Sequence, residues 1–151
     1  MLYLFLKTIH IVAVVLFLGN ITTGVFWKLF ADRSGDARFM AATLDGILSA
    51  DRVFTAAGAT LILLSGIALA WLGGYPLFTF WIWAGLALFV ASAVIFKRWA
   101  EPAQRQMLAV ARAAEFDREA YARVSRSWMW SGTLATLAPY AALALMVFKP
   151  A

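Results

Sequence analysis

Between residues 53 and 96 the chain reads VFTAAGATLILLSGIALAWL, then GGYP, then LFTFWIWAGLALFVASAVIF, without one charged side chain. A helix needs about 20 apolar residues to cross the hydrocarbon core of a bilayer. The runs 53–72 and 77–96 each supply that length, on either side of a short turn. Working outward, residues 3–27 form a third run, interrupted by Lys7, His10 and Asn20. Residues 128–148 form a fourth, uncharged, with Pro139 inside it. Of the 151 residues 64% are hydrophobic and 14% charged, and the mean hydropathy is +0.80. A soluble domain carries roughly a quarter charged residues, and so short a chain cannot hide this much apolar surface from water. The expected fold is all-α: a single polytopic membrane domain over residues 1–151, a four-transmembrane-helix bundle embedded in lipid.

The tryptophans check these boundaries independently. Trp27, Trp71, Trp81, Trp83, Trp99, Trp128 and Trp130 all fall at or near the end of a run, where an indole keeps its ring in apolar surroundings and its N–H wet. Basic residues set the orientation. Residues 28–52 and 97–127 hold eleven of the thirteen Lys and Arg, which places both segments in the cytoplasm and both termini outside, in a bacterial inner membrane. The net charge of +5 is read as attraction to anionic lipid rather than to nucleic acid. Lys7 lies within the first run, with no basic segment ahead of it and no small-x-small site behind it, so this run is expected to be a span and not a removable leader.

Cysteine is absent and His10 is the sole histidine, which excludes disulfides, thiolate metal sites, iron–sulfur clusters and multi-histidine metal sites within one chain. The two basic segments carry helical patterns. Asp36 can cap a helix whose Phe39, Met40, Thr43, Leu44, Ile47 and Leu48 make one apolar stripe. Glu101-Pro102 reads as a helix start, followed by Met107, Val110, Ala114, Tyr121, Val124 and Trp128 at helical spacing, with Glu101/Arg105 and Glu119/Arg123 as i,i+4 pairs. The second stretch is either an interfacial helix or an extension of the fourth span. Gly66, Ala70 and Gly74 on the second span, and Ala87 and Ala91 on the third, are spaced for close helix contact. Pro139 frees a carbonyl one turn earlier, which predicts a kink near Tyr140.

One polar face lies within the membrane. On an ideal helix His10, Ala13, Phe17, Asn20 and Gly24 share a narrow strip, which should point into the bundle, away from lipid. A neutral imidazole is the form that ligates haem iron. Within one chain the second axial ligand would be Met146, on the same leaflet, while Lys7 and Lys149 are the cations placed to meet haem propionates. The competing reading makes His10 a hydrogen-bonding contact between helices and Met146 ordinary packing. Asn20 is read as an interhelical contact.

The opening MLYLFLKTIHIVAVV, with Gly19-Asn20 behind it, resembles an uncharacterised bacterial family of small predicted integral membrane proteins with four spans, over essentially the whole chain. More distantly, over the first span, it resembles the HemJ-type membrane protoporphyrinogen IX oxidase. That second resemblance implies haem b bound through His10. In that family a Trp-containing motif opening the third span carries a lysine important for activity; the similar stretch here, WIWAGL, has Gly85 in its place. The leading functional reading is a small inner-membrane scaffold or accessory subunit, in a homo-oligomer or a larger membrane complex. The alternative is a haem b-binding redox protein using His10 with Met146 or a partner chain's histidine. A transporter or channel has least support, because no Asp or Glu lies within any of the four runs.

Overall fold

The computed structural model describes residues 1–150 and is helical apart from short joints. Four helices are long and apolar enough to cross a membrane: α1 (Leu2–Ser34), α2 (Ala37–Leu72), α3 (Phe80–Ala111) and α4 (Arg118–Phe148). At 1.5 Å per residue each measures about 45–55 Å, against a hydrocarbon core of about 30 Å. All four therefore run well past the apolar stretches that define them. The amphipathic pattern of residues 37–50 is the leading part of α2. The second basic segment divides: Glu101–Ala111 continues α3, and after a turn the chain re-enters a helix at Arg118 as the start of α4.

Local chemistry sets the joints. Gly35 ends α1 in the left-handed region at φ 69°, its N–H on the Asp32 carbonyl, a conformation that glycine adopts without the clash of a Cβ. Asp36 then caps α2 by accepting the Arg38 N–H at 2.9 Å, as the sequence suggested, and Asp117 caps α4 by accepting the Ala120 N–H at 2.9 Å. Pro102 does not open a new helix. It sits inside α3 just after a π-helical turn, Phe96–Ala100, in which the Glu101 N–H reaches back five residues to the Phe96 carbonyl. A proline has no N–H for the i−4 carbonyl, and the wider turn accommodates that missing bond. A second π-helical turn, Asp51–Ala56, interrupts α2.

α1 folds back on α2 and α3 on α4, giving two antiparallel hairpins, both turning at the basic end. In lipid such pairs are held by close contact between small residues. At Gly58 an added Cβ would lie 3.3 Å from the Phe17 Cβ, so α2 approaches α1 where it has no side chain. Not every small residue serves this way. Gly66 and Ala70 face inward, but Gly74 lies beyond the helix in a turn at φ 67°. Ala87 and Ala91 are exposed, and α3 instead turns Ile82, Gly85 and Ser92 inward. Pro139 leaves α4 continuous. The Ala135 carbonyl that it frees accepts a hydrogen bond from Ser92 Oγ of α3 at 2.5 Å.

The two hairpins join mainly beyond the apolar runs. There Met40 and Leu44 of α2, Ala103 and Met107 of α3, and Tyr121 and Trp128 of α4 form one buried cluster over Ala31 of α1. That end lies beyond the hydrocarbon-spanning runs, where apolar burial can drive the joint. Trp128 is the exception among the tryptophans: it is 4% exposed and belongs to this core, whereas Trp71 and Trp130 stand outward as boundary residues should. The Glu101–Arg105 pair forms at 2.7 Å; among the described residues Glu119 and Arg123 make no ion pair, and Arg112 instead meets Asp45 of α2 at 3.3 Å.

Candidate binding site between the hairpins

The sequence patterns that bury the helix faces also bury Gln104 and half-bury Asp51 and Thr55. On α2 the stripe Leu44, Ile47, Leu48 continues one turn later to Asp51, and then to Thr55. On α3 the buried positions Ala100, Ala103, Met107 and Ala111 include Gln104, which is 2% exposed. Asn20 arrives from α1. Its Nδ2 donates to Asp51 Oδ1 at 3.0 Å and to Thr55 Oγ1 at 2.9 Å. Thr55 Oγ1 donates to Asp51 Oδ1 at 3.0 Å, and Gln104 Nε2 to Asp51 Oδ2 at 3.2 Å. Asp51 thus ties three helices together through neutral donors alone.

This cluster edges a partly open cavity of about 240 Å³ at the junction of the hairpins. Phe17, Phe89, Phe96 and Trp128 supply aromatic wall, and both π-helical turns contribute lining residues. π-Bulges occur frequently at functional sites, because one extra residue re-aims the side chains around it. Two buried polar atoms on lining residues have no hydrogen-bond partner, Gln104 Oε1 and Trp128 Nε1. At the rim Glu101 is bonded to Lys97 at 2.6 Å and Arg105 at 2.7 Å. Those bonds hold its carboxyl below the usual range. Asp51 stands two residues outside the apolar run of α2. Burial pushes its carboxyl upward, opposed by the bonds from Thr55, Gln104 and Asn20.

Beside the cavity a second network joins α1 to α4. Lys28 is 1% exposed. It pairs with Asp32 at 2.6 Å, donates to Ser125 Oγ and lies 5.3 Å from the centre of the Trp128 ring. Tyr121 completes it by donating to Asp32 at 2.7 Å. Burial, with that bond to a carboxylate, raises the phenol well above its normal range.

Of the candidate site residues His10, Asn20, Met146, Lys7 and Lys149, only Asn20 reaches the cavity. His10, about 15 Å along α1 from it, lies between α1 and α2. Its Nδ1 is 2.9 Å from Ser65 Oγ, and its ring lies beside Gly66, where an added Cβ would be 3.2 Å from Cε1. Met146 belongs to the other hairpin, its methyl group 2.8 Å from where a Gly85 Cβ would be. Lys149 stands over the Tyr75 and Trp81 rings at 5.4 and 5.3 Å, and Lys7 is exposed. Asp51, Gln104 and Lys28 are the site residues that the sequence reading passed over. The signal for the first two was a polar residue falling on an otherwise apolar stripe.

A helical membrane protein of two hairpins with a polar junction is the class these features define. The family described as predicted integral membrane protein DUF2269 matches residues 4–150, and the chain belongs to it. No curated protein and no solved structure matches it.

Proposed function

We propose that the chain is an accessory or scaffold subunit of a bacterial inner membrane, with its basic end in the cytoplasm and both termini outside. The observation that carries this reading is an exposed aromatic ladder on α1 and α2. Phe26, Trp27, Phe30 and Phe39 contact one another at centroid distances of 5.5–6.4 Å, and all four remain open. Phe30 and Phe39 lie past the apolar run of α1, where hydrocarbon does not cover them. Contiguous apolar surface of this kind marks a contact with another protein or with the membrane surface, and we take the part beyond the apolar run as the protein contact. The chain has no cysteine, so Phe30→Cys provides a single handle. In intact cells it should resist a membrane-impermeant maleimide, and in native membranes it should cross-link into one discrete larger species. Labelling from outside would refute the orientation, and a chain that stays single would refute the assembly.

A second reading, a haem b-binding redox protein, draws on His10. Ser65 Oγ also bonds the Leu61 carbonyl, so its proton is committed there and His10 Nδ1 is the donor in the pair with Ser65. Nε2 is then left with a lone pair, the arrangement of a ligating histidine held by its other nitrogen. The chain's own residues supply one such nitrogen. A second axial ligand requires Met146 to leave Gly85, or another chain. This reading expects a reduced-minus-oxidised spectrum with Soret and α bands that disappear in His10→Ala. A flat spectrum from haem-replete cells would sink it.

A further inference from the structure

The cavity between the hairpins presents an unusual set of charges. Among the described residues Asp32, Asp45 and Glu101 are in ion pairs, and Asp36 and Asp117 cap helices. Asp51 is the carboxylate drawn into the molecule with no cation against it: its partners are Asn20, Thr55 and Gln104. Next to it Gln104 carries a buried amide oxygen with no donor. Turning that amide about its last bond would bring the oxygen to Asp51. Against a bare carboxylate this is repulsive, but with an N–H-bearing cation between them both oxygens are satisfied. The rim has the opposite sign. Arg52, Lys97 and Arg105 all border the opening, and Arg52 has no ion-pair partner among the described residues. Asp51 precedes the apolar run of α2 and Lys97 follows that of α3, so the cavity sits at headgroup depth, with Phe17 and Phe89 on its membrane side.

A half-buried anion, a basic rim and an apolar floor facing the bilayer match a zwitterion on hydrocarbon chains. We propose that the cavity binds the head group of an ethanolamine phospholipid, with the ammonium between Asp51 and Gln104 and the phosphate toward Arg52. Trp128 Nε1, the other buried donor without a partner, is placed to serve a phosphate or ester oxygen. The volume suits the assignment, since a cavity of about 150 Å³ already takes benzene. A choline head group has the charge but no N–H to share between Asp51 and Gln104, and a glycerol head group has no cation. The proposal holds whichever face of the membrane the basic end occupies.

Delipidated full-length protein in detergent would be titrated, by native mass spectrometry, with dihexanoyl lipids bearing ethanolamine, choline or glycerol head groups, and with tail-less phosphoethanolamine. The expected result is at least tenfold tighter binding of the ethanolamine lipid than of the other two lipids, and weak binding of the tail-less compound. Asp51→Asn should erase the preference, by weakening the ethanolamine lipid and not the glycerol lipid. If that variant misfolds, Gln104→Met, which keeps the size and apolar packing of the position, should reduce the preference by about the same factor. Equal binding of the three lipids, or a preference for the glycerol lipid, would overturn the assignment in favour of a nonselective rim. Equally tight binding of the tail-less compound would replace the lipid with a soluble ligand. A preference surviving both substitutions would move the site elsewhere.

Discussion

Asp32→Ala should destabilise the protein by about 3–5 kcal/mol, the usual penalty for stranding a buried charge. The Lys28 ammonium is 1% exposed and would keep only Ser125 and the Trp128 ring. The same substitution removes the acceptor of the Tyr121 hydroxyl, so two helices lose their link at once. Thermal unfolding in detergent would measure the loss. The double variant is the sharper test. Lys28→Met with Asp32→Ala removes both charges, and apolar replacement of a buried pair is often neutral, so most of the stability should return. If the double variant is as unstable as Asp32→Ala alone, the stranded ammonium is not the cause.

The second large effect belongs to the apolar joint. Leu44 is 1% exposed, at the centre of the cluster that includes Met107 and Trp128. Leu44→Ala should cost about 2–5 kcal/mol, from lost burial plus the cavity left behind. Leu64, on the membrane part of α2 and exposed to lipid, is the matched control. A hydrocarbon tail replaces the missing side chain there, and Leu64→Ala should stay within about 0.5 kcal/mol. Similar losses at the two positions, read from unfolding of the purified variants, would show that burial in the joint is not the source of the Leu44 effect.

The four helices were readable because hydrocarbon imposes one simple rule on composition and length, and the uncharged run of residues 53–96 obeys it without exception. The inward face of α1 was readable for the same reason: Ala13 and Phe17 are buried, and His10 and Asn20 both bond to α2. The partners of that face were not. Nothing local to Asn20 indicates that Asp51 and Gln104, from two other helices, converge near it. Lys28 was counted as a loop charge because a lysine just past a tryptophan belt usually ends a span. Its burial depends on Asp32 one turn on and on Ser125 and Trp128, about a hundred residues away. Pro139 was read correctly as freeing a carbonyl: α4 runs through it unbroken, and Ser92 on a neighbouring helix satisfies the Ala135 carbonyl.

The position of the joint has a consequence for how the protein is made. Each hairpin closes on itself through a short turn at the basic end, so the first can be threaded into the bilayer and paired while the second is still on the ribosome. Most of the contacts that unite them lie beyond the apolar runs and form only after both are in place. The cavity exists only once that final docking occurs, and whatever occupies it is enclosed as the two halves come together. A molecule already dissolved in the surrounding leaflet is the one best placed to be captured at that moment.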